Sequence, residues 1–314
     1  MNAIEINNLC KTYDDFAISD LSLAVPRGCI VGLIGENGAG KSTTINLILD
    51  IIHKDSGSIR LLGNDNTHDT ASLKENIGVV PDEPGFPECL TAKQVNSIMK
   101  HTFARWDETA FCNYIDMLKV PANKPFKDFS RGMKMKLSIA VAMSHNARLL
   151  ILDEPTSGLD PVVRDEVIDM FNEFTRDETH TVLISSHIVS DLEKICDYIA
   201  FIHQGRLLLF EEKDALLDKH GIIQCSEEEL ARLPETAVKG IKKTPFGVNA
   251  IIEKEYVPSD IQILPVTIEE LFVFMVKEDL NYNERTCSQR FIHDEKILQS
   301  NAAYSSYISG CSYV

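Results

Sequence analysis

The sequence predicts an α/β fold: a mostly parallel, helix-covered sheet with an inserted helical subdomain and a small C-terminal α+β appendage. Three observations carry this. Apolar runs of strand length (CIVGLI, RLLILDE, TVLISS, YIAFIH) alternate with helical patterns through the first 220 residues, as in covered parallel sheets. From about Thr91 to Asn146 the pattern is helical, which sets a helical subdomain at about 84–146. After Gly221 short strand-like pieces surround one helical pattern.

In chain order, LSLAV (21–25) alternates with period two, and PRG punctuates it. CIVGLI (29–34) is a continuous apolar strand, followed by a glycine-rich turn and the helical run STTINLILDII. IGVV (77–80) is a further strand. Three helices follow, in TAKQVNSIMKHTFARW, DETAFCNYIDMLKV and MKMKLSIAVAMSH. RLLILDE (148–154), TVLISS (181–186) and YIAFIH (198–203) resume the strands, and PVVRDEVIDMFNEFTRD opens a helix with proline at its first position. GIIQC, IIEKEYV and IQILPV read as strands and TIEELFVFMVK (267–277) as a helix. The boundaries expected are 1–220 for the main domain, 221–281 for the appendage and 282–314 for a Ser- and Tyr-rich flexible tail.

With 314 residues, 44% of them hydrophobic, the chain can bury a large core. Its net charge of −16 argues against wrapping a nucleic acid, which wants a basic face. No apolar run reaches the ~18 residues of a membrane span, and MNAIEINNLCK lacks the cationic start of a signal peptide. The eight cysteines are scattered without a CxxC pair, which predicts free thiols in a reducing compartment.

Gly35-Glu36-Asn37-Gly38-Ala39-Gly40-Lys41-Ser42 fits G-x-x-x-x-G-K-[ST], after a strand and at the start of a helix. Its glycines let the backbone curl around phosphate, its N–H groups point inward, and the helix start adds positive potential. Lys41 is expected to reach the β- and γ-phosphates of ATP and Ser42 to give its hydroxyl to Mg²⁺, with Thr43 next to them. Asp153 and Glu154 end a buried strand, where open α/β sheets bind ligands. Asp153 suits Mg²⁺ or its water, and Glu154 suits polarising an attacking water. His187 follows TVLISS at the same sheet edge, within reach of a γ-phosphate or of that water. Ser130, Arg131 and Gly132 begin a second helix suited to an anion. One ATP has one γ-phosphate, so two anion-binding helix starts per chain are explained if two chains meet head to tail.

Together these motifs resemble an ATP-binding cassette ATPase, the nucleotide-binding subunit of an ABC transporter, over residues 1–220. FSRGM (129–133) is similar to the family's signature in its SxGM form, SGLD (157–160) to its D-loop, and His187 to its switch histidine. The resemblance implies that Tyr13 stacks on adenine, that Ser130 and Gly132 contact the γ-phosphate held by a partner subunit, and that Asp160 serves the nucleotide interface. FPECLTAKQ and PVTIEELFVFMVK are similar to bacterial exporters of the bacitracin-resistance and phenol-soluble-modulin type. Members are cytoplasmic ATPases that pair, as homodimers or heterodimers, with a separately encoded membrane permease at the inner face of the cell membrane. One departure stands out: the family has Gln where VVPDEPGF has Asp82. As a metal contact, Asp82 offers full charge on a stem one methylene shorter.

The function expected is therefore that of an exporter ATPase powering efflux of a peptide, antibiotic or other amphipathic cargo. The alternatives are a regulatory ATPase that senses cargo without moving it, or a ribosome- or DNA-directed member. A single cassette, the absence of a long heptad run and the negative charge weigh against the last.

Overall fold

In a computed structural model of the protein, residues 1–277 are described apart from 68–69, 246 and 259–260. The tail expected at 282–314, with Cys287 and Cys311, lies outside them. The chain divides into a unit of Met1–Leu216 and a second beginning at Leu217.

The first unit holds two sheets. One is antiparallel, in the order β2-β1-β4-β5, from β1 (Asn2–Thr12), β2 (Ala17–Pro26), β4 (Ser56–Leu61) and β5 (Asn64–Asp65). The other runs β10-β9-β3-β8-β7-β6, from β3 (Ile30–Ile34), β6 (Ile77–Val80), β7 (Leu149–Asp153), β8 (Thr181–Ser186), β9 (Tyr198–His203) and β10 (Arg206–Glu212). All its pairings are parallel except that of β10 with β9. β3, β7 and β8 are buried along their whole length, as strands covered on both faces must be. The antiparallel sheet is an addition to the mostly parallel sheet expected. Ile4, Leu21, Leu33, Ile45, Ile151, Leu183 and Ile202 join both sheets in one apolar core.

Helix α1 (Lys41–Ile48) leaves β3 and packs on β7, and stops earlier than its periodicity predicts because Asp50 turns left-handed at φ 54°. α2 (Thr70–Lys74) precedes β6. Between β6 and β7 lie α3 (Ala92–Thr102), α4 (Glu108–Met117) and α5 (Arg131–Met143). α3 is opened by a reciprocal Thr91–Gln94 capping box, the physical content of TAKQ. α6 (Pro161–Phe174) and α7 (Val189–Ile195) follow β7 and β8.

The unit boundary falls within α8 (Lys213–Lys219). Beyond it, β11 (His220–Cys225), β12 (Val238–Thr244), β13 (Gly247–Glu253) and β14 (Ile263–Leu264) form an antiparallel sheet in the order β12-β13-β11-β14. With α9 (Glu227–Leu230) and a helix over 268–277 this unit is α+β. IIEKEYV does not stay extended: β13 ends at Glu253, and residues 254–256 form a 3₁₀ turn. Glu253 is buried there between Lys219 (3.4 Å) and Lys239 (3.0 Å). The six described cysteines are free thiols. Burial pushes the Cys196 thiol far up, which leaves it unreactive. Among the described residues no helix is long and apolar enough to cross a membrane.

Candidate functional site

The carboxyl ends of β3, β6, β7 and β8 open on one cavity of about 910 Å³, and the chemistry-bearing residues gather there. β3 delivers the glycine-rich turn. Gly40, at φ 109°, is the residue before α1, and a Cβ there would stand 2.7 Å from Ile18 Cδ1 and 2.9 Å from Phe16 Cζ. Only glycine fits both the dihedral and the space. The first turn of α1 carries no acidic residue and no side-chain cap, so its N–H groups remain for a ligand.

Lys41 is buried, and its Nζ donates to Gly35 O (2.8 Å) and Glu36 O (3.3 Å). It also stands 3.5 Å from Glu154 Oε1. The other carboxylate oxygen, Glu154 Oε2, accepts from His187 Nδ1 at 2.7 Å and from the His187 backbone N–H at 3.3 Å. With Glu154 ionised, His187 carries its proton on Nδ1 and presents Nε2 outward. Glu154 thus joins the lysine and the histidine, which stand far apart in the first unit's sequence, on α1 and after β8, through one carboxylate.

Glu154 has a left-handed backbone, φ 51°. Such a conformation costs a non-glycine residue about 1–2 kcal/mol and persists only where its surroundings over-determine it. Here the Glu154 N–H donates to Ser185 O (3.2 Å) and to Ser185 Oγ (3.1 Å), and its carbonyl accepts from Ser157 N (3.0 Å).

Asp153, one residue earlier, turns inward and is 5% exposed. The Ser185 hydroxyl donates to its Oδ1. Burial raises its carboxyl pKa, against the stabilising hydrogen bonds of Ser185 and Ser42, and the charges of Asp82 and Glu154 raise it further. Because the folded-state value is raised, ionised Asp153 opposes folding. The penalty is absent below the unfolded pKa of about 3.8, grows as pH rises from there toward the folded value, and levels off above it. We therefore expect Asp153→Asn to raise the melting temperature of the nucleotide-free protein by about 2 °C or more at pH 7, with the gain vanishing toward pH 4. It should also lose the extra stabilisation that Mg²⁺ gives to nucleotide-bound protein. Differential scanning fluorimetry across pH reads both effects.

Ser42 and Asp153 are hard oxygen donors in mutual reach, which fits Mg²⁺. That ion takes one or two protein ligands and completes its shell with water and phosphate oxygens. Among the described residues no group of three or more His, Cys, Asp and Glu could hold a metal.

Of the residues singled out in the sequence, Glu36, Asn37, Gly38, Gly40, Lys41, Ser42, Thr43, Asp82, Glu154 and His187 line the cavity, while Gly35 and Ala39 belong to the turn without lining it. Asp82 Oδ1 accepts from Arg131 Nη2 at 2.8 Å. Ser130 caps α5, its Oγ accepting from Met133 N (3.3 Å), and Asp160 caps α6 through Val163 N (3.2 Å). Ser130, Gly132 and Asp160 do not line their own chain's cavity. Neither does Tyr13, which is 44% exposed with Lys11 Nζ 5.6 Å from its ring centre. Phe16 lines the cavity instead, with Asp15, Arg131 and Ser157. Sequence reasoning gave Phe16 no role. Its only signal is its spacing after Tyr13, in the loop closed by the Tyr13 N–H to Phe16 O bond.

Comparison with known proteins agrees with this geometry. The family model for ABC transporters matches residues 18–157. A bacitracin transport ATP-binding protein, BcrA of Enterococcus faecalis, is 34% identical over 208 residues, 65% of this chain and 68% of that protein. The ABC transporter ATP-binding protein YtrB of Bacillus subtilis is 30% identical over 283 residues, 86% of this chain and 97% of that protein. A lantibiotic transport ATP-binding protein, SrtF of Streptococcus pyogenes, is 35% identical over 67% of this chain and 91% of its own length. Among solved structures, an ATP-binding subunit of an ABC transporter superposes with a TM-score of 0.62 at 28% identity, covering 68% of this chain and 91% of that one. A dimeric cassette bound to ADP and phosphate, at 20% identity and a TM-score of 0.60, shares the fold. The chain belongs to the ATP-binding proteins of the ABC transporter family.

Proposed function

We propose that this protein binds and hydrolyses ATP to drive an ABC exporter, moving a peptide, antibiotic or other amphipathic cargo through a separate membrane permease. The single observation that carries the reading is the Lys41–Glu154–His187 arrangement over a phosphate-binding turn, in a member of this family. The cargo class rests on relatives named for bacitracin, lantibiotic and linearmycin.

Lys41 makes its present bonds to neutral carbonyls at 2.8 and 3.3 Å. Phosphate oxygens compete for the same hydrogens with full charge. Moving Lys41 onto them withdraws it from Glu154, whose carboxylate then accepts a proton from water while His187 holds it in place. Ser42 and Asp153 would hold Mg²⁺, which when bound neutralises charge developing on the transferred phosphoryl group. Because Ser130 and Gly132 stand apart from their own chain's cavity, the reading needs a second ATPase chain, identical or different, meeting this one head to tail. Residues 1–220 act as the cassette, with a helical subdomain at about 84–146, and 221–281 as an accessory domain. The protein works at the inner face of the cell membrane through the permease and has no nucleic-acid partner.

The permease is expected to dock on 83–105. Glu83, Gly85, Pro87 and Glu88 are exposed there. Phe86 leads from this loop to an apolar hollow of about 390 Å³ shared with Met99, Phe103, Val79 and His145, suited to an apolar cytoplasmic segment of the permease. The test is co-purification from detergent-solubilised membranes, with ATP turnover of the isolated chain measured alongside. Glu83→Lys with Glu88→Lys should reduce permease capture by about tenfold, as like-charge or mismatched rims do, and leave basal turnover within about twofold. Lost turnover would place these residues in the nucleotide site instead.

A further inference from the structure

The cavity has a charge problem. Its walls carry four carboxylates, Asp15, Glu36, Asp82 and Glu154, against two permanent cations, Lys41 and Arg131. Lys41 already stands beside Glu154. Asp153 adds a fifth carboxyl just behind, and after burial and its hydrogen bonds the charge of Asp82 is the next influence on it, pushing its pKa up. A site for a polyphosphate anion needs the opposite balance.

We propose that Arg131 is a positioning residue that neutralises Asp82 within the same chain, so that this cavity accepts an anionic nucleotide although a carboxylate occupies the Asp82 position. Three features fit this role. Arg131 Nη2 donates to Asp82 Oδ1 at 2.8 Å across 49 residues of sequence. Its stem passes close to the SGLD turn, where a Cβ added to Gly158 would lie 3.4 Å from Arg131 Cδ and 3.5 Å from Cγ. Gly132 lets that turn come close, since a Cβ there would stand 2.9 Å from Gly158 O. The arginine stem thus runs beside the SGLD turn, and its guanidinium reaches the cavity wall through the bond to Asp82.

Stability does not explain the pair. The two side chains are 59% and 43% exposed, and exposed ion pairs contribute little to folding. What a unit charge at the rim of a cleft changes is the free energy of a second, highly charged guest. On this account the acid at 82, where the family has Gln, is compensated by the base at 131.

The inference rests on the cavity being a nucleotide site, so the experiment separates the two. Binding of a fluorescent trinitrophenyl ATP is measured in EDTA, where no metal contributes. Arg131→Ala should weaken binding about fivefold at low salt, and Asp82→Asn should tighten it by about half that factor. The double variant should return to within about twofold of wild type, and the Arg131→Ala deficit should shrink as salt rises. Arg131→Lys should keep most of the affinity. Melting temperatures report that each variant is folded. Wild-type affinity in Arg131→Ala, or a double variant as weak as Arg131→Ala alone, overturns the pairing role. Lys41→Ala is the control: if it binds the probe as wild type does, the nucleotide reading fails; if it loses binding while Arg131→Ala does not, only the present inference fails.

Discussion

Glu154→Gln is expected to bind ATP with wild-type affinity or better, to turn it over about 10²–10³-fold more slowly, and to accumulate as a two-chain complex with ATP and Mg²⁺. The amide keeps the shape of the side chain. Its oxygen can still accept from His187 Nδ1, now 2.7 Å from Glu154 Oε2. It cannot take a proton from water, and it gives Lys41 no negative charge to rest against. Both changes favour the closed, ATP-loaded state: the lysine is released toward phosphate, and the step that would reopen the complex is blocked. Size-exclusion chromatography with and without nucleotide reads the association, and a single-turnover assay reads the chemistry. Fast hydrolysis in this variant would remove Glu154 from the role of base. A profile that stays monomeric while hydrolysis is blocked would show that the natural partner is a different ATPase chain.

Lys41→Ala is expected to lower ATP affinity by about 10²-fold and turnover further still, since it deletes a buried cation placed to make charge-assisted bonds to phosphate. It also leaves the Glu154 carboxylate with His187 as its hydrogen-bond partner and two carbonyls of the glycine-rich turn without the Lys41 donor. Isothermal titration against ATP, with a melt of the nucleotide-free protein, separates the binding loss from a folding loss. Near-normal turnover would end the assignment of the glycine-rich turn.

Most of this site was legible in the sequence because its parts are local. The turn Gly35–Ser42 carries its meaning in eight residues, and β7 and β8 are continuous apolar runs whose ends announce themselves. The antiparallel sheet was harder. β1 alternates poorly because its pairing with β2 shifts register between Ile6 and Leu9 and again between Leu9 and Lys11, which breaks the period of two. β4, SGSIRL, has exposed residues at four of its six positions, so little hydrophobic signal marks it. The Asp82–Arg131 bond was out of reach for a different reason. It joins residues 49 apart, one in the loop after β6 and one at the start of α5, and nothing in either segment alone says that they meet. Phe16 and Tyr13 show the same limit: an aromatic can be recognised as belonging near a base, but which of two rings reaches the cavity depends on how the loop between β1 and β2 folds back.

The end of β7 has a consequence for anyone improving this protein by selection. Asp153 sits where burial disfavours its charged form, and Glu154 holds a backbone that side chains avoid. Two neighbouring positions therefore work against folding. Neutral residues at the first, and glycine or asparagine at the second, relieve that opposition while removing the groups proposed above to serve hydrolysis. A screen that ranks variants by heat resistance would climb toward inactive proteins at these sites, and a consensus drawn from its winners would erase the chemistry first. Selection for robustness here has to be run under a demand for turnover, or with 153 and 154 held fixed.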